Sequence, residues 1–119
     1  MDVEEFRSFC LQLKGVHEDF PFDKDTLVFK VMGKMFALVP LDRIPHTTNL
    51  KCDPERSVIL RETYDGVIRP GYHMSKLHWN TLVLDALPRD LIQELIVHSY
   101  NLVVDKLNKK DKAALAAIS

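Results

Sequence analysis

Two β-prone runs, Leu27-Val28-Phe29-Lys30-Val31 and Met35-Phe36-Ala37-Leu38-Val39, are separated by only Met32-Gly33-Lys34. So short a link leaves one arrangement, an antiparallel hairpin, because a parallel pair needs a crossover of about a dozen residues. Gly33 is the residue suited to the positive φ of such a turn. The hairpin therefore commits the chain to an antiparallel sheet.

The segments on either side add helices to that sheet. Val3, Phe6, Phe9, Cys10 and Leu13 recur at helical spacing, so a helix is predicted from about residue 3 to residue 14. Asp2 and Glu5 form an acidic capping box at its start, and Gly15 follows where a helix ends. His17 to Thr26, which contains Phe20-Pro21-Phe22, reads as a loop pinned by aromatic side chains. Thr47 to Cys52 alternates as a third strand, and Asp53-Pro54-Glu55 opens a second helix that runs to about Tyr64. Val67 to Met74 reads as extended with an interruption at Pro70-Gly71, and Trp79 to Leu84 as a further strand. From Pro88, the residues Leu91, Ile92, Leu95, Ile96, Ser99, Leu102, Val103 and Leu107 trace one face of the longest helix. Helix, three strands, helix, two strands, helix is not a βαβ alternation, and the expected fold class is α+β, helices packed on an antiparallel sheet.

A chain of 119 residues with 46% hydrophobic residues suffices for one core. Residues 1–108 are expected to form a single domain, and the tail 109–119, which has little amphipathic pattern, is expected to fray. The start MDVEEFRSF is acidic, unlike a secretory signal, and no apolar run approaches membrane-spanning length, so the expected setting is cytoplasmic, with no membrane partner and a monomer as default.

Charge sets a limit on function. With 16 Lys+Arg against 17 Asp+Glu the formal net charge is −1, so any nucleic-acid affinity must come from local asymmetry. One window supplies it. Between Gly66 and Leu84 there is no Asp or Glu, while Arg69, His73, Lys76 and His78 are interleaved with Tyr72, Trp79 and Asn80. Arg and Lys pair with phosphates, and Asn offers a bidentate amide to adenine. The candidate nucleic-acid contacts are thus Arg69, Lys76, His78 and Asn80, extended by Lys30, Lys34 and Lys51 if alternation brings them to one sheet face. Tyr72 and Trp79 are expected to anchor the core. Arg56 and Arg61, five apart on the second helix, do not share a tight face and add little.

Catalytic signatures are missing. The four glycines are scattered, so no phosphate loop exists, and there is no HExxH or CxxC. His73 and His78 have neither the spacing nor the carboxylate of a metal site. Cys10 and Cys52 read as buried thiols, although Cys52 precedes a helix N-terminus able to lower its pKa. The expectation is no enzyme, no cofactor and no metal.

Several strings together resemble one family. They are Thr26-Leu27-Val28-Phe29-Lys30-Val31, Gly33-Lys34-Met35-Phe36-Ala37-Leu38 and Asn49-Leu50-Lys51-Cys52-Asp53-Pro54-Glu55, followed by Arg69-Pro70-Gly71-Tyr72-His73-Met74, Lys76-Leu77-His78-Trp79-Asn80-Thr81 and His98-Ser99-Tyr100-Asn101-Leu102-Val103-Val104. In this order they resemble the MmcQ/YjbR-like proteins over roughly residues 2 to 107. The resemblance implies a compact domain with an antiparallel sheet whose paired hairpins form a double wing, and its members are described as predicted DNA-binding proteins. No catalytic motif or cofactor is implied, and the Ala-rich tail lies outside the pattern. DNA is accordingly the first partner expected, bound weakly through its backbone, and the alternative is a protein or peptide interaction module.

Overall fold

In the computed structural model, which describes residues 1–118, Met32 and Gly33 both take positive φ, 50° and 78°. They form a two-residue turn between β2 (Thr26–Val31) and β3 (Lys34–Pro40), so Lys34 belongs to the strand and not the link. Between Phe29 and Lys30 the partner residue jumps from Ala37 to Met35, which leaves Phe36 as the extra residue of a bulge. The other strands are β1 (Val16–Asp19), β4 (Thr47–Lys51), β5 (Ile68–Pro70) and β6 (Trp79–Val83). All pair antiparallel in the order β1-β2-β3-β4-β6-β5. The fold class is α+β, as expected from the sequence.

Helix α1 (Val3–Gln12) carries the full Asp2–Glu5 capping box, and α2 (Pro54–Thr63) starts from Asp53 with Pro54 in its first turn. The long α3 (Arg89–Asp105) packs across β3, β4 and β2 through Ile92, Leu95, Ile96, Ser99 and Val103. These residues meet Leu27, Phe29, Val31, Ala37, Val39, Leu50 and Leu82 from the sheet. Phe6 stands edge-on to Phe29 with ring centroids 5.8 Å apart, both fully buried. Truncating either to Ala would cost about 3–5 kcal/mol.

The sheet is narrowest at its middle. Only Ala37 with Leu50 and Leu38 with Asn49 pair across β3 and β4. Beyond them the Ser99 hydroxyl enters the gap, accepting the Lys51 N–H at 2.9 Å and donating to the Phe36 carbonyl at 2.5 Å. A helix side chain thus satisfies backbone groups that a longer ladder would have paired.

Two segments differ from the sequence reading. The loop expected from His17 to Thr26 begins as a strand, because β1 pairs with β2 and Glu18 takes both Nε and Nη2 of Arg7 on α1, each at 2.6 Å. That bidentate pair holds the Glu18 carboxyl below its ordinary range. The tail expected to fray carries a helix within its described length. Asn108 caps a further helix, α4 (Lys109–Ala116), whose Leu115 is buried against Gly15. Lys14 Nζ reaches the Ala116 carbonyl and the Tyr100 hydroxyl reaches the Lys14 carbonyl, tying the helix down. Ser119, the last residue of the predicted tail, lies outside the described residues.

Candidate functional site

Strand alternation divides the sheet into two faces. Leu50, Thr48, Leu82, Ile68 and Asn80 share the face that the helices cover, and register places Asn49, Thr81 and Arg69 side by side on the opposite face. Among the described residues no helix lies over this second face. Three loops wall it instead: Phe22 and Asp23 before β2, Asp42 to Pro45 after β3, and Tyr72 to Met74 after β5. They enclose a cleft of about 810 Å³ whose floor is formed by Leu38, Thr47, Asn49 and Thr81. That volume falls within the roughly 300–1,000 Å³ typical of ligand sites.

The Tyr72 wall is held from below. The Thr81 hydroxyl donates to Asn49 Oδ1 at 2.5 Å and accepts the Tyr72 N–H at 3.0 Å. Asn49 Nδ2 donates to the Tyr72 carbonyl at 3.3 Å. Asn49 and Thr81 are each 5% exposed, so both backbone groups of Tyr72 are fixed by buried side chains of adjacent strands. His73 then takes φ 58°, which turns the chain, and its ring leans on Tyr72 with centroids 3.9 Å apart. The Tyr72 ring itself is 53% exposed, with the Arg43 guanidinium over it at 4.6 Å. Tyr72 is therefore a wall of the cleft and not the core anchor expected from the sequence. Trp79 is 6% exposed, but it lies on the open side with Lys51 over its ring and outside the core cluster beneath the helices.

The charged side chains lining the cleft are two aspartates and two arginines, and they differ in what holds them. Asp23 accepts the N–H groups of Asp25 and Thr26 at 2.8 Å, which, with the Thr26 hydroxyl, holds its carboxyl below the ordinary range and turns it toward the backbone. Arg43 and Arg69 line the same cleft and form no salt bridge among the described residues. Asp42 lines the cleft beside Asp23, so two carboxylates stand with the two guanidinium groups.

The predicted set is split by this geometry. Arg69 faces the cleft, while Lys76 and His78 are exposed on the loop that continues from Tyr72. Lys34 is exposed at the hairpin. Asn80 is removed from the set: it is 2% exposed on the helix-covered face, where its Nδ2 donates to Ser57 and its Oδ1 accepts from Arg61. Lys30 pairs with Asp19 at 3.2 Å, and Lys51 lies over the Trp79 ring at 5.5 Å, its pKa lowered by burial and by Lys106. These two share the open side by register but supply little free charge. Cys52 is also corrected, since burial raises its pKa despite opposing contributions from Ser57 and Arg56.

Two residues carry more than the sequence suggested. Arg61 is a clamp: its Nε donates to Asn80 Oδ1 at 2.7 Å, and its Nη2 to the carbonyls of Lys76 at 2.6 Å and Trp79 at 3.3 Å. It fixes the far end of the loop that Tyr72 begins. Arg43 had no basic neighbour to mark it, and only the fold brings it to Tyr72. Among the described residues no cluster of three or more His, Cys, Asp or Glu is placed to hold a metal ion, and no helix is long and apolar enough to cross a membrane.

Comparison with known proteins places this geometry. The family model described as YjbR matches residues 11–102. The chain is 40% identical over 114 residues to the uncharacterized protein YbdF of Escherichia coli O157:H7, covering 92% of this chain and 89% of that one. It is 29% identical over 119 residues to YjbR of Escherichia coli K12, covering 99% and 100%. The crystal structure of Deinococcus radiodurans protein DR2400, a DUF419 domain, superposes with a TM-score of 0.89 at 42% identity, over 96% of this chain and 87% of that one. A Pseudomonas syringae crystal structure superposes with a TM-score of 0.73 at 30% identity, covering 86% and 98%.

Proposed function

The chain belongs to the YjbR family, and from that premise we propose that it is a non-catalytic domain of the cytoplasm that binds nucleic acid weakly, through the phosphate backbone, on the open face of its sheet. The observation that carries this reading is the convergence of Arg43 and Arg69, neither in a salt bridge among the described residues, on one cleft beside an exposed tyrosine. Lys76 and His78 are exposed on the adjoining loop, and Lys34 stands apart at the hairpin. A near-neutral chain with so few free cations binds by a small number of phosphate contacts, which makes the affinity low and sequence-independent.

The test is fluorescence anisotropy with labelled oligonucleotides across a salt series. Three cations on a single strand give a log–log slope of about −2. Arg69→Ala with Lys76→Ala should weaken binding to every sequence alike and flatten that slope by more than half. Absence of binding at low salt, or an unchanged slope in the double variant, would overturn the reading. A peptide-binding role draws on a separate observation, Phe22 at 66% and Ile44 at 90% exposure near Asp42. It predicts a peptide affinity that polyanions do not compete away.

A further inference from the structure

We propose that the cleft accepts one unpaired base of a single strand with its flanking phosphate, and that Asn49 and Thr81 are the positioning residues that build the site. This rests on the nucleic-acid reading and specifies what is recognised. The shape comes first. Reading a duplex groove requires a protruding helix or ribbon, whereas this face is a concavity between loops, and a concavity receives what protrudes from a strand. An unpaired base is such a group.

The wall is ready for it before binding. Both backbone groups of Tyr72 are tied to Asn49 and Thr81, so little freedom remains to be lost when a ligand arrives. Arg43 lies over the Tyr72 ring and presents a guanidinium plane, the surface on which bases stack in single-strand recognition. Charge complementarity selects the occupant. Arg43 and Arg69 form no salt bridge among the described residues and offer a phosphate two guanidinium groups, while the Asp23 carboxylate is engaged by the Asp25 and Thr26 amides.

The experiment uses the full chain and a labelled oligothymidylate carrying one central 2-aminopurine, with the same sequence as a duplex, free AMP and a hydrophobic acidic peptide as comparison ligands. The expected result is tighter binding of the single strand than of the duplex, with quenched 2-aminopurine emission. Thr81→Val should weaken single-strand binding about tenfold and restore emission, and Thr81→Ser should recover both. Arg43→Ala alters an exposed side chain, so it gives the same loss of quenching even if Thr81→Val fails to fold. Strand binding with emission unchanged, or Arg43→Ala behaving like the parent, overturns the base site and leaves backbone binding standing. AMP binding as tightly as the oligomer overturns the strand as ligand, and preference for the peptide overturns the occupant. Failure of every oligonucleotide to bind overturns the underlying reading as well.

Discussion

Replacing Arg61 with Met keeps a long apolar stem and removes the guanidinium, and the structure indicates which of its bonds matters. The Lys76 carbonyl is on an exposed residue and turns to water at little cost. The Trp79 carbonyl keeps the Gly71 N–H at 2.8 Å. Asn80 Oδ1 has neither recourse, because the residue is 2% exposed and Arg61 Nε is its one donor among the described residues. An unsatisfied buried acceptor costs about 1–3 kcal/mol. With a urea m-value of roughly 1–3 kcal/mol/M for a domain of this size, the denaturation midpoint should fall by about 1 M. Arg61→Lys should restore little, since a single ammonium cannot reproduce the fork. The double variant Arg61→Met with Asn80→Leu should be less damaged than the two single changes added together, by about 1 kcal/mol. Strict additivity, or a single-variant loss below about 0.5 kcal/mol, would refute the assignment of the cost to Asn80.

Further outcomes follow from other parts of the fold. Gly71→Ala places a Cβ 2.7 Å from Trp79 Cβ and 3.1 Å from its carbonyl oxygen, so β5 must part from β6; thermal unfolding should register a loss of about 1–3 kcal/mol. Cys10 and Cys52 are buried with pKa values raised by burial, so a disulfide thiol reagent should modify neither in the native protein and both in denaturant. His98 Nε2 accepts the Asp53 N–H at 3.1 Å, and burial, with Arg56, lowers its pKa against the opposing pull of Glu94 and Asp53. Its folded pKa lies below the unfolded one, so its contribution is complete above the ordinary value of 6.5 and is lost as pH falls through that value toward the lowered folded pKa. An NMR titration placing His98 at or above 6.5 would contradict this.

What the sequence disclosed was what is encoded locally. The hairpin, the Asp2–Glu5 box and the Asp53-Pro54 helix start are signals spanning a few residues, and each formed as read. The strand β1 escaped notice because Val16-His17-Glu18-Asp19 is polar, and it is held by pairing with β2 and by Arg7 from another element. Helix α4 escaped because its buried anchor, Leu115, meets Gly15 at the other end of the chain. The candidate site was half legible. Arg69 stood out by local charge, but the face to which Asn80 and Asn49 point is a matter of strand register, and Arg43 becomes part of the site only when two loops distant in sequence converge.

The two-pair seam between β3 and β4 divides the sheet into a leaf of β1, β2 and β3 and a leaf of β4, β6 and β5. The cleft opens across that seam, with Leu38 on one leaf and Asn49, Thr81 and Arg69 on the other. Ser99, reaching from α3 to Lys51 on one leaf and Phe36 on the other, is the splint that joins the two leaves where their own ladder stops.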